Sequence, residues 1–139
     1  MWKNILIAYD GSEYANQALA QGCELAVLEE ANISILSVVR LPEPMLGLKP
    51  EVFIEDATKF YKDHFEAAIK KLPKIAQNLE LNVVVGRIAE SLINFSLQNK
   101  IDLLVIGFAK KKPLLDKLIL GSVAKQVLDN AQFSVLLVR

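Results

Sequence analysis

Several things are scarce in this chain, and each scarcity closes off a class of function. There is one cysteine, Cys23, among 139 residues, so neither an internal disulfide nor a cysteine-built metal site can form. There is one histidine, His64, and no nucleophile stands beside a plausible base, so no hydrolase constellation is legible. Charge of one sign is also lacking. The 16 basic and 16 acidic residues cancel, leaving no global field for a nucleic-acid backbone or an anionic membrane, and any binding must be local. The longest uninterrupted apolar run, Leu103 to Ala109, is far shorter than the roughly 20 residues that span a bilayer. The opening "MWKNILIAYDG" reaches Asp10 before a signal core develops, and a cytoplasmic protein is expected. Glycine is sparse, and neither GxxxxGK[ST] nor GxGxxG occurs, which excludes a Walker loop and the dinucleotide fingerprint.

What the chain does have is apolar content, 53% of its residues, enough for one core and one domain spanning residues 1–139. Five short runs rich in leucine and β-branched residues read as strands: "NILIAYD" (4–10), "NISILSVV" (32–39), "LNVVVG" (81–86), "DLLVIG" (102–107) and "FSVLLV" (133–138). Their near-continuous hydrophobicity predicts burial on both faces. Helical periodicity separates them. Ser12 is a candidate N-cap for a helix with Ala15, Ala18, Leu19, Gly22, Leu25 and Ala26 on one stripe. A longer helical pattern from about Val52 to Leu79 carries Phe53, Ala57, Phe60, Tyr61, His64, Phe65, Ala68, Leu72 and Ile75, with Pro73 expected to kink or split it. Glu90 to Gln98 predicts a third helix, and Ser122 to Asn130 a fourth, with Val123, Val127 and Leu128 inward. The alternation βαβαβαβαβ predicts an α/β fold, a doubly wound open five-stranded parallel sheet with helices on both faces.

In such a sheet ligands collect at the carboxyl ends of the strands, near the reversal of strand order. That rule selects three loops: Asp10 to Ser12, Val39 to Pro50, and Gly107 to Ser122. Asp10 can accept hydrogen bonds from a ligand, or Asp-Gly-Ser can serve simply as a strand-to-helix turn. Gly121-Ser122 can present helix-start amides to an anion, or Ser122 can be a bare N-cap. Lys110, Lys111 and Lys112 before Pro113 are a solvated loop or a phosphate contact. Met45, Leu46 and Leu48, between prolines, either form a partial lid over a flat ring or pack on the long helix. His64, on that helix, is expected far from the strand ends, and Cys23 packed against the sheet.

Three stretches, "KNILIAYDGSEYANQAL", "VVVGRIAESLINFSLQNKIDLLVIG" and "LILGSVAKQVLDNAQFSVLLVR", resemble the universal stress protein family from end to end. The resemblance implies the strand order 3-2-1-4-5, a Rossmann-like sheet and a homodimer in which the last strands, 133–138, pair. It also implies a stress-response role. Members that bind ATP carry glycine, two residues, glycine, nine residues, then glycine with serine or threonine. Here Gly107 and Gly121-Ser122 match the ends, Lys110 takes the middle position, and the spacer is ten residues. Carried over residue by residue, Ala8, Asp10 and Val38 line the adenosine half, Gly107 lies beside the ribose, and Gly121, Ser122 and the Val123 amide hold phosphate, with magnesium brought by the nucleotide. Lys110 replaces the missing glycine. A left-handed backbone there costs a side chain about 1–2 kcal/mol, and a lysine–phosphate hydrogen bond returns about 1.5–3 kcal/mol. The rival reading is an interaction module of the same family that binds no nucleotide; slow ATP hydrolysis is a weaker third. A receiver domain fails for want of an aspartate at "VVVGR", and a flavodoxin for want of a hydroxyl-rich loop at "YDGSEYA".

Overall fold

The computed structural model describes residues 1–43, 49–109 and 122–139, the Ile75 side chain excepted. Lys110 to Lys112, Gly121, Met45, Leu46 and Leu48 therefore lie outside the described residues. The elements alternate along the chain: β1 (Asn4–Ala8), α1 (Glu13–Glu29), β2 (Asn32–Val39), α2 (Pro50–Ile69), a 3-10 turn (Lys74–Asn78), β3 (Leu81–Val85), α3 (Ile88–Gln98), β4 (Leu103–Gly107), α4 (Ser122–Asn130) and β5 (Ser134–Val138). All four strand pairings are parallel, in the order β3-β2-β1-β4-β5. The expected fold and order are both present.

The period-two alternation of strand side chains divides the core between the two faces of the sheet. Ile5 and Ile7 of β1, Ile35 of β2 and Val105 of β4 meet Ala18 and Leu19 of α1 and Phe65 of α2. Their neighbours Leu6, Leu36, Leu104 and Ile106 meet Leu92 of α3 and Val127 of α4 on the other face. Burial on both faces holds for β1, β2 and β4. It does not hold for β3 and β5, whose residues are mostly half-buried or exposed, because an edge strand is only partly covered by crossover helices.

Local chemistry accounts for several helix ends. Ser12 caps α1 as expected, its Oγ accepting from the Ala15 N–H at 3.1 Å. The long helical pattern splits: α2 stops at Ile69, before Pro73, and a short 3-10 turn follows. Three expectations need correction. α3 begins at Ile88 rather than Glu90, because the chain turns into helix directly after Gly86, whose N–H is held by the Val39 carbonyl at 3.0 Å. Leu128 is exposed, since Ala124 and Val127 take the inward stripe of α4. Phe60 and His64 are also exposed, because α2 turns Phe65 inward and leaves those two beside the β1–α1 loop.

Candidate functional site

The strands end at different heights along the carboxyl edge, and a crevice of about 240 Å³ opens there between β1, β2 and β4. Ala8, Asp10, Val38, Gly107 and Val123 all line it, so five of the eight residues selected from the sequence come together. Ser122 lines an adjoining groove instead, with Arg40 and Arg87 on its walls, and Val123 borders both spaces. Lys110 and Gly121 fall outside the described residues.

The β1–β2 ladder determines what the crevice floor offers. Its last register pair is Ala8 with Leu36, and the Leu36 carbonyl takes the Tyr9 N–H at 2.9 Å. In a parallel pair, alternate residues point their N–H and C=O toward the same neighbour, so the next residue of β2 facing β1 is Val38. By then β1 has turned away. The rung that could still form, from Val38 N–H to the Tyr9 carbonyl, is absent among the described residues, and the buried Ser37 hydroxyl donates to that carbonyl at 2.6 Å. Val38 therefore presents a main-chain donor and acceptor to the crevice. Its carbonyl meets only a loose contact among the described residues, the Tyr61 hydroxyl of α2 at 3.5 Å.

Asp10 combines both roles read from the sequence. One carboxylate oxygen accepts from the Ser12 N–H at 2.9 Å, closing an Asx turn through Gly11, which takes φ +82°. The other has no donor among the described residues, on an exposed side chain that lines the crevice. Gly107 has a packing reason for being glycine. A Cβ there would sit 2.3 Å from the Tyr14 carbonyl oxygen, because the first turn of α1 passes directly over the end of β4.

The surrounding walls are apolar and aromatic. Tyr9 is buried; its hydroxyl donates to Asn16 Oδ1 at 2.8 Å, its ring meets Phe65 edge-on, and burial, helped by the Asp10 and Glu13 carboxylates, pushes its phenol up to about 12. Burial and, secondarily, Asp10 raise the half-buried Tyr61 phenol above its ordinary range as well. Phe108 closes the β4 side, its N–H bound to the Val138 carbonyl at 2.6 Å and Arg139 lying 5.7 Å above its ring. Such a slot suits a flat, uncharged ring with one donor and one acceptor on its edge.

A further correction concerns His64, expected far from the strand ends. α2 brings it beside Gly11, with its Cβ 3.4 Å from where a Gly11 Cβ would stand. It is exposed, its Nδ1 is 2.8 Å from the Phe60 carbonyl oxygen, and it does not line the crevice. Tyr61 and Ser37 were missed by the sequence reading. Ser37 carried a signal, a lone hydroxyl in an apolar strand that must find a buried partner.

The sequence profile of the universal stress protein family matches residues 1–139. The chain belongs to the universal stress protein family. Universal stress proteins of Thermus aquaticus and Methanocaldococcus jannaschii are 34% and 30% identical to it; both alignments take in the whole chain, with 100% and 83% of the relatives covered. Among solved structures, a universal stress protein family member from Burkholderia pseudomallei superposes with a TM-score of 0.74 at 22% identity, covering 99% of this chain and 96% of that one. Two others were solved with ligands. The Archaeoglobus fulgidus universal stress protein in complex with dAMP has a TM-score of 0.64 at 22% identity, covering 100% and 98%. A universal stress protein in complex with cAMP has a TM-score of 0.63 at 22% identity, covering 99% and 97%. At these identities the superpositions speak for the fold alone.

Proposed function

We propose that this universal stress protein binds an adenine nucleotide, ATP or a relative of it, in the crevice at the ends of β1, β2 and β4, as a regulatory ligand in a cytoplasmic stress response. The observation that carries this reading is that Val38, in register with β3, has no partner on its β1 side among the described residues. Its N–H and C=O form the donor–acceptor pair that the N1 and 6-amino groups of adenine complement, and apolar walls stand on either side. The free oxygen of Asp10 faces the same space and is suited to accept from a ribose hydroxyl or a base nitrogen. Family members solved with cAMP and dAMP support the choice of adenine. In this reading Ala8, Asp10 and Val38 hold the adenosine and Gly107 flanks the ribose. Ser122 and the Val123 amide, at the start of α4, lead toward the phosphates, Lys110 and Gly121 complete the contact, and magnesium arrives on the nucleotide. Helix-start amides favour negative charge for the same reason that they lack intrahelical partners.

The proposal includes a homodimer through residues 133–138. β5 pairs with β4 on one side only, and Leu136 is exposed on this apolar edge strand, which a second copy can cover. Light scattering of purified protein tests it: a mass of two chains supports pairing, and a monomer at micromolar concentration rejects it. For the ligand, calorimetric titration with ATP and AMP is paired with mass spectrometry of gently purified protein. Binding that weakens at least tenfold in Asp10→Ala supports the site; no heat at millimolar nucleotide and no bound mass would remove it.

A further inference from the structure

The Tyr61 hydroxyl lies against the Val38 carbonyl, a main-chain acceptor at the base-reading end of the crevice. Tyr61 projects from α2, the helix least embedded in the core, and its ring lines the crevice beside Asp10 and Val38. At 3.5 Å the contact with the Val38 carbonyl is too long for a strong hydrogen bond. It is therefore a readily displaced occupant, not a plug. A phenol hydroxyl is also both donor and acceptor, and rotating its proton about the C–O bond redirects it without moving the ring.

We propose that Tyr61 determines which purine the crevice accepts, its hydroxyl acting as a second hydrogen-bonding group beside the 6-position of the base. This rests on the nucleotide reading above and deepens it. With a 6-amino purine, one amino N–H donates to the Val38 carbonyl, whose second lone pair stays open to the Tyr61 hydroxyl, so the hydroxyl gains and loses little. With a 6-oxo purine, the 6-oxygen faces the Val38 carbonyl and the N1–H faces the Val38 N–H, and the Tyr61 proton is the group able to turn and satisfy the ligand oxygen. The hydroxyl thus costs the 6-amino base little and favours the 6-oxo base. Val38 alone would be the stricter reader of adenine.

The test compares AMP and IMP by calorimetric titration against the full chain and its Tyr61→Phe variant. Thermal melting verifies that the variant is folded, and Lys62→Ala, exposed on the same helix, serves as control. The ratio of AMP to IMP affinity is expected to rise about threefold to tenfold in Tyr61→Phe, the range of one neutral hydrogen bond, and to stay unchanged in Lys62→Ala. Binding by both with an unchanged ratio overturns the role of Tyr61 and leaves the nucleotide reading standing. Binding of neither nucleotide by either protein overturns both.

Discussion

The two ends of this sheet are finished in opposite ways. At the amino end, side chains tie the starts of β1, β2 and β4 together. Asp102 accepts from the Lys3 and Asn4 N–H groups at 2.9 and 3.0 Å, the Asn4 amide donates to the Lys100 carbonyl at 3.2 Å, and the Asn32 amide reaches Asn4 Oδ1 at 3.1 Å. Glu29 draws in the N-terminal ammonium and the Trp2 N–H. At the carboxyl end the corresponding groups are left open: Val38 has no partner on its β1 side, and one oxygen of Asp10 no donor, among the described residues. Open backbone polar groups in a half-covered, apolar crevice cost stability unless water or a ligand meets them. The contrast teaches where this chain keeps strength and where it keeps capacity for a ligand.

The largest effect expected from breaking this arrangement is at Gly107. Alanine there drives a methyl into the Tyr14 carbonyl, and unfolding in urea is expected to show a loss of about 3 kcal/mol. Next is the amino-end latch: Asp102→Ala removes a charged acceptor of two N–H groups, costing about 2 kcal/mol in urea while AMP affinity at the far end stays unchanged. Ser37→Ala sharpens the comparison. It strips the Tyr9 carbonyl of its side-chain donor at the crevice end, at an expected stability cost of about 1 kcal/mol in urea.

The alkaline limb of stability reads two buried groups, Tyr9 in the crevice wall and Cys23 in the core face of α1. Burial pushes the Cys23 thiol from 9.0 up to about 11 and is the main cause raising the Tyr9 phenol from 10.0 to about 12. Both are neutral when protonated, so raised values mean that the native protein keeps protons that the unfolded chain releases near pH 9 and 10. This stability is complete below about pH 9 and is lost as the pH rises through 11 and 12. Urea midpoints measured from pH 8 to 12 are expected to fall along that window, and Tyr9→Phe removes the upper part of the slope. The smallest effect has the opposite sign. Ser96 is buried with its hydroxyl unpartnered among the described residues, so Ser96→Ala is expected to raise the unfolding free energy in urea, by about 1 kcal/mol.

Much of this was written in local patterns. The five strands stand where apolar runs are bounded by turn residues, and Ser12 and Pro73 fix helix ends by chemistry that depends on a few neighbouring atoms. Strand order came from resemblance, because parallel pairing is non-local. The edge strands were misjudged for a related reason: β3 and β5 are nearly as apolar as β1, and only topology tells which strand has a neighbour on both sides. The site divides the same way. Asp10 and Gly107 were legible because they stand where strands give way to loops, and Val38 came from the resemblance, whereas Tyr61 depends on how α2 is rotated above the rim, which its periodicity did not specify once Phe60 and His64 turned outward.

The central claim is that the main chain of Val38 reads an adenine edge, and amide spectroscopy of isotopically labelled protein addresses it at that atom. On titration with AMP the Val38 N–H resonance is expected to shift downfield and its hydrogen exchange to slow, while the Lys3 and Asn4 amides at the opposite end stay unmoved. A Val38 resonance unchanged at millimolar AMP, with or without shifts elsewhere, would contradict the account.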